Sequence, residues 1–159
     1  MAVTVRPVAE LDLSVLRGLQ ARPELQLVDQ HFAAAQKGEL IFAVAVEGDE
    51  RLGTALLDFG PDAFVPELRN MYVYPGARRR GAGRALMSWL EEQARIRGYT
   101  AVYLAVDPNN ERAIPLYVSL EYSPTGEHLF VADAEIPQVA DGTERSTHYA
   151  IYKKSLLAL

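Results

Sequence analysis

The chain has 159 residues, 49% of them hydrophobic, with a formal net charge of −5 and no cysteine. That length and composition suit one domain with a sizeable core. The missing cysteines exclude disulfides, thiolate metal sites and cysteine nucleophiles, and the acidic balance argues against a broad nucleic-acid surface. No apolar run approaches the roughly 18 residues of a membrane span, and residues 1–6 lack the apolar core of a signal peptide. The expectation is a single cytoplasmic domain over residues 1–159 with neither a membrane nor a nucleic acid as partner.

Val3 to Val8 alternates as a first strand, and Leu11 to Leu19 is apolar at helical spacing. Arg22-Pro23 sets proline near the first position of a second helix that runs to Lys37-Gly38. Leu40 to Val46 and Arg51 to Phe59 read as a hairpin around Glu47-Gly48-Asp49-Glu50. Gly60-Pro61 breaks the chain before a central strand from about Glu67 to Tyr74. Pro75-Gly76 ends that strand. A helix starting near Gly81 then runs through Leu86, Trp89, Leu90 and Ile96 to Arg97-Gly98, with Gly98 as its C-terminal cap. Thr100 to Val106 reads as a buried strand, the segment from Asn110 to Tyr117 as a short helix, and Tyr122 to Val131 and Glu144 to Lys153 as the last strands. The polar stretch Ala132 to Thr143 between those two is a long loop. The order β-α-α-β-β-β-α-β-α-β-β predicts an α/β domain with a mixed sheet flanked by helices.

The junction between the central strand and the long helix carries the clearest chemical signal. Arg78, Arg79 and Arg80 lead directly into a helix N-terminus, whose first amides have no intrahelical partner and attract an anion. Gly81 and Gly83 carry no Cβ, which opens the backbone to a phosphate. Three arginines alone read equally well as a solvated charge run; the two glycines shift the balance. The dinucleotide fingerprint fails because its third glycine position is Leu86, and the nucleoside-triphosphate P-loop fails because the Gly-Lys-Ser or Gly-Lys-Thr ending is absent. The remaining pattern, Arg-x-x-Gly-x-Gly after a strand ending in Val73-Tyr74-Pro75, resembles the coenzyme A signature of the GNAT superfamily of N-acetyltransferases. A second segment strengthens the resemblance: Asn110-Glu111-Arg112-Ala113-Ile114-Pro115-Leu116-Tyr117 matches the superfamily's Asn-x-x-Ala-x-x-Leu-Tyr pattern at every fixed position. Two features depart from it. Glu121 stands where a glycine is customary, and Pro115 falls inside the short helix. The motif match spans about Glu67 to Tyr122.

The resemblance implies the GNAT fold and acetyl-coenzyme A (acetyl-CoA) as co-substrate. Its pyrophosphate would sit on the amides of Arg79, Arg80, Gly81, Ala82, Gly83 and Arg84, with Arg78 beside them. The central strand at Met71, Tyr72 and Val73 would border the acyl arm, and Asn110, Ala113 and Tyr117 would meet the arm from the second motif. A primary amine has a pKa near 10.4, so at neutral pH it must lose a proton before it can attack a thioester. Glu67 matches the position of the catalytic glutamate in some members; an ordinary loop-edge glutamate is the equal alternative. Period-two alternation sets Glu67, Arg69, Met71 and Val73 on one face and Leu68, Asn70, Tyr72 and Tyr74 on the other, unless a bulge intervenes. Backbone amides of this strand are candidates to stabilise the tetrahedral oxyanion if the strand splays. The leaving thiolate has a conjugate pKa of about 8.5, so a phenol near 10 can protonate it; the resemblance implies Tyr117 for that role. Tyr72, Tyr74, Tyr99 and Tyr103 have the character of packing residues. His31, His128 and His148 show no metal spacing and read as structural or surface groups.

The acceptor site in this superfamily is built from the first helices, the strand before the central one and the last hairpin. Here those parts carry Glu24, Asp29, Asp58 and Asp62, and later Asp133, Glu135, Asp141 and Glu144. An acidic rim would favour a cationic amine; ordinary acidic surface fits the same residues. Two functions stay open, an acetyl-CoA-dependent N-acetyltransferase and an inactive acyl-CoA-binding or sensing module, and the resemblance leaves a homodimer open as well.

Overall fold

The computed structural model describes residues 2–60, 64–106, 113–130 and 148–157. Its strands are β1 (Thr4–Pro7), β2 (Leu40–Glu47), β3 (Glu50–Asp58), β4 (Glu67–Val73), β5 (Ala101–Val106), β6 (Ser123–Phe130) and β7 (His148–Ser155). The helices are α1 (Leu13–Leu19), α2 (Leu27–Gln36), α3 (Ala82–Ile96) and α4 (Ala113–Ser119). The strands form one sheet in the order β1-β2-β3-β4-β5-β7-β6, and the β4–β5 pair alone is parallel. The predicted element order and mixed sheet are therefore observed, while the loop 132–143 lies outside the described residues. No helix of the described residues is long and apolar enough to cross a membrane.

The sheet is covered on both faces, which is why β2 and β3 are apolar along most of their length rather than alternating. On one face Phe42, Val44 and Leu56 pack with Leu13 and Leu16 of α1 and Val28 of α2. On the other, Ala43, Ala55 and Leu57 pack with Leu86, Leu90 and Ala94 of α3. Small residues in β2 let α3 lie close to the sheet.

Three local features differ from the sequence reading. The predicted second helix is split: Pro23–Leu25 forms a single 3-10 turn, and Gln26, left-handed at φ 53°, redirects the chain into α2. Pro115 is the third residue of α4 within the described residues. Glu121 adopts φ 74°, and the Tyr122 amide donates to the Tyr117 carbonyl at 3.0 Å, closing α4 with a left-handed cap. The glycine-like turn is thus kept by a non-glycine residue, at a cost of about 1 kcal/mol.

One buried carboxylate ties β1, the first turn and β3 together. Asp12, fully buried, accepts from Arg6 at 2.7 and 2.8 Å, from Arg51 at 2.9 and 3.1 Å, and from the Ala9 amide at 2.8 Å. The Arg6 hydrogen bond is the main reason its pKa lies well below the carboxylate range, with the Ala9 amide and Arg51 adding to it against the opposing effect of burial. Such a depressed pKa stabilises the fold above the unfolded value near 4, and the contribution is lost as pH falls. Asp12→Asn should destabilise by about 3 kcal/mol at pH 7, since it leaves two guanidinium groups short of their counter-charge. In urea titrations the gap between wild type and variant should narrow progressively below about pH 4; a constant gap would assign the effect to shape rather than charge.

Candidate active site

The β3–β4 register contains a bulge that reorganises the central strand. Thr54 pairs with Tyr72 but Leu56 pairs with Arg69, so Ala55 faces both Asn70 and Met71, and Asn70 is left-handed at φ 53°. The extra residue inverts the alternation after it. Met71 and Val73 therefore join Leu68 on the α3 face, whereas Tyr72 and Tyr74 turn to the α1–α2 face. This corrects the simple alternation expected from sequence, which set Met71 with Glu67 and Tyr72 with Leu68.

The described pairing between β4 and β5 is short. Parallel pairing of β4 with β5 is confined to Glu67 with Tyr103 and Leu68 with Leu104. Among the described residues the pairing stops at Leu68, although β5 continues through Ala105 to Val106.

The N-terminus of α3 faces the same region. Gly81 is its N-cap at φ 84°, no side chain caps the helix, and the first helical bond runs from the Ala85 amide to the Gly81 carbonyl at 3.0 Å. The amides of Ala82, Gly83 and Arg84 are left as the orphan donors of a helix start, a site for an anion. A Cβ at Gly81 would meet open space. One at Gly83 would lie 3.7 Å from Met71 and 3.8 Å from Leu116, so β4, α3 and α4 converge there.

The arginines of this segment divide. Arg80 donates to Glu50 at 2.9 Å and to Glu47 at 2.8 Å, which directs it to the β2–β3 turn and raises its pKa, Glu50 being the larger cause. Arg84 donates to Ser119 Oγ at 3.0 Å, linking α3 to α4. Arg78 makes a 3.3 Å contact with the Val73 carbonyl, and both Arg78 and Arg79 are exposed beside the cradle. Arg79 holds a left-handed φ of 66°.

Tyr117 sits in α4, packed against the α3-side core with its ring edge-to-face on Tyr122 at 6.5 Å. No described residue hydrogen-bonds its hydroxyl, and burial pushes its pKa up, so it stays protonated at neutral pH. Asn110 lies outside the described residues, as does the side chain of Ala113. Glu67 is mostly buried, 3.8 Å from Arg69 Nε, and Arg69 in turn donates to Asp58 at 2.5 Å.

On the opposite face of β4 lies a pocket of about 60 Å³ between the α1–α2 segment and the sheet. Tyr74, expected as a packing residue, and Tyr72, expected both to pack and to border the acyl arm, line it together with Asn70 of the bulge. Burial raises the Tyr74 pKa to about 12. Two further lining groups are His31, read from the sequence as a structural or surface histidine, and Arg22, to which the sequence reading assigned no role. His31 contacts Phe42 edge-to-face at 5.5 Å, and burial, reinforced by Arg69, lowers its pKa to about 4, so it is neutral at pH 7. Its recurrence with Leu27 and Val28 at helical i, i+3 and i+4 spacing was the available signal.

The expected acidic rim is largely neutralised where it is described. Asp29 is paired with Arg17 at 2.6 Å, Asp58 with Arg69, and Glu24 with Arg22 at 3.4 Å. Asp62, Asp133, Glu135, Asp141 and Glu144 lie outside the described residues. No cluster of potential metal ligands occurs among the described residues.

Comparison with known proteins agrees with this geometry. Residues 8–122 match the family model of the acetyltransferase (GNAT) family. The chain is 31% identical over 118 residues to the mycothiol acetyltransferase of Beutenbergia cavernae, a match covering 70% of this chain and 40% of that protein. It is 30% identical over 118 residues to an acetyltransferase of Pectobacterium atrosepticum, covering 74% of this chain and 71% of that one. In fold it is similar to a putative acetyltransferase from Salmonella typhimurium solved with acetyl-CoA, with a TM-score of 0.69, 18% identity, and coverage of 100% of this chain and 96% of the other. With the family model spanning most of its length, the chain belongs to the acetyltransferase (GNAT) family.

Proposed function

We propose that this chain transfers an acetyl group from acetyl-CoA to a primary amine by direct attack. The observation that carries the reading is the convergence, through Met71, Gly83 and Leu116, of an uncapped helix N-terminus, the central strand beyond its bulge and the helix bearing Tyr117. Acetyl-CoA supplies an acyl group already activated as a thioester. The amides of Ala82, Gly83 and Arg84 hold its pyrophosphate, Arg78 and Arg79 lend charge at the rim, and Arg80 supports the loop through Glu47 and Glu50. Backbone groups of Met71–Val73 take up the acyl arm, together with Asn110 and Ala113 of the second motif.

The protonated amine first gives up one proton; as the N–C bond then forms and the C–S bond breaks, the nitrogen loses another, to solvent, and the sulfur gains one. Tyr117 donates the proton that reaches the sulfur from its unshared hydroxyl. Glu67 receives the first proton from the amine; at four residues from Met71, roughly 13 Å along an extended strand, it acts through intervening water. The pocket beside Tyr72 and Tyr74 receives the acceptor. Amine-dependent thiol release from acetyl-CoA, followed with a thiol reagent across a panel of amines, tests the reaction.

Glu67→Gln should slow turnover most at low pH. Without the carboxylate, reaction depends on amine already neutral in solution, a fraction that rises about tenfold per pH unit below the amine pKa. The variant's kcat/KM should climb with pH towards the wild-type value. A uniform loss at every pH would make Glu67 an orienting residue, and no loss would pass deprotonation to another group.

A further inference from the structure

Arg22 precedes Pro23 in the segment between α1 and α2 and lines the pocket on that face of β4. Its Nη1 is buried without a hydrogen-bond partner, the one such side-chain atom among the described residues. Its Nε reaches only the exposed Glu24 carboxylate, at 3.4 Å. A buried charged donor left unpaired is expensive, and native folds keep such groups rare unless a ligand completes them. The nearby carboxylates are committed elsewhere, Asp29 to Arg17 and Asp58 to Arg69. The walls are otherwise mostly apolar, formed by Leu27, Val28, Phe42 and Leu56 with the rings of Tyr72 and Tyr74. A polyamine would bring a second positive charge against Arg22.

We infer that the acceptor is an amine carrying a carboxylate and an apolar body, that is, a hydrophobic amino acid whose carboxylate pairs with Arg22 Nη1 while its side chain lies against Val28, Phe42 and Leu56. The guanidinium fork suits a carboxylate because it offers parallel donors in a fixed plane. The inference rests on the acetyltransferase reading and reverses the cationic acceptor suggested by residue counting.

The test compares kcat/KM for L-phenylalanine, L-leucine and L-methionine with phenethylamine, isoamylamine and spermidine, by thiol release from acetyl-CoA. Wild type should prefer phenylalanine to phenethylamine by at least about tenfold, the worth of one hydrogen bond to a charged group. Arg22→Gln should bring that ratio close to one, mainly through KM, and Arg22→Lys should recover part of it. Acetyl-CoA affinity measured by calorimetry on each variant controls for folding. Equal use of phenethylamine or spermidine by wild type, or an undiminished preference in Arg22→Gln, would overturn the inference. So would acetyl-CoA binding with no turnover of any apolar amino acid. Failure to bind acetyl-CoA at all would instead overturn the reading beneath it.

Discussion

Gly83→Asp is expected to abolish coenzyme A binding while leaving the fold intact. Gly83 lies in the first turn of α3, and a Cβ there would meet Met71 and Leu116 at 3.7 and 3.8 Å, ordinary contact distances. The backbone is helical at this position, so aspartate is not strained, and a carboxylate near a helix N-terminus favours the macrodipole by about 0.3–1 kcal/mol. The same carboxylate occupies the amides that would otherwise hold a pyrophosphate and repels an approaching anion. Losing two or more charge-assisted bonds should weaken binding by at least about 100-fold, or about 2.8 kcal/mol. Thermal stability should be unchanged or slightly raised. Calorimetry that returned wild-type affinity for the folded variant would move the coenzyme away from α3.

Tyr117→Phe should lower kcat by about 100-fold or more, the usual weight of a positioned general acid, with little change in coenzyme affinity. The substitution keeps the ring and its edge contact with Tyr122 and removes only a hydroxyl that no described residue engages. Stability should therefore hold within about 0.5 kcal/mol. Because burial raises the Tyr117 pKa, the wild-type rate should not decline from loss of this proton until pH exceeds about 10. Parallel loss of turnover and affinity would indicate packing, and unchanged turnover would remove Tyr117 from the reaction.

The parts of this molecule that were legible in the sequence are those fixed by local chemistry. Gly81 and Gly83 announce an open helix start because an anion needs bare backbone there. The segment ending at Leu116-Tyr117 was readable because it resembles a contiguous family pattern. Hydrophobic periodicity placed the strands and α3 to within a few residues. The bulge at Asn70 was not legible, since register is decided by pairing with β3 and a left-handed asparagine carries no mark in one dimension. Gln26 is illegible for the same reason, whereas the turn at Glu121 was marked by the glycine customary at that position. Charge partners were equally hidden: Arg80 finds Glu47 at a separation of 33 residues, and Arg17 finds Asp29 at 12. Among the described residues, ion pairs also neutralise Glu24, Asp29 and Asp58 of the apparent acidic rim, and Arg22 lines the pocket.

Isotopically labelled acetyl-CoA, incubated with the protein and a panel of primary amines and read by mass spectrometry together with thiol release, distinguishes acetyl transfer from coenzyme binding alone. Transfer predicts labelled N-acetylated amine and free thiol in equal amounts, with both absent when the amine is omitted. Coenzyme binding without labelled amine would contradict it and leave an acyl-CoA-binding module, and thiol release without acetylated product would reduce the chemistry to hydrolysis.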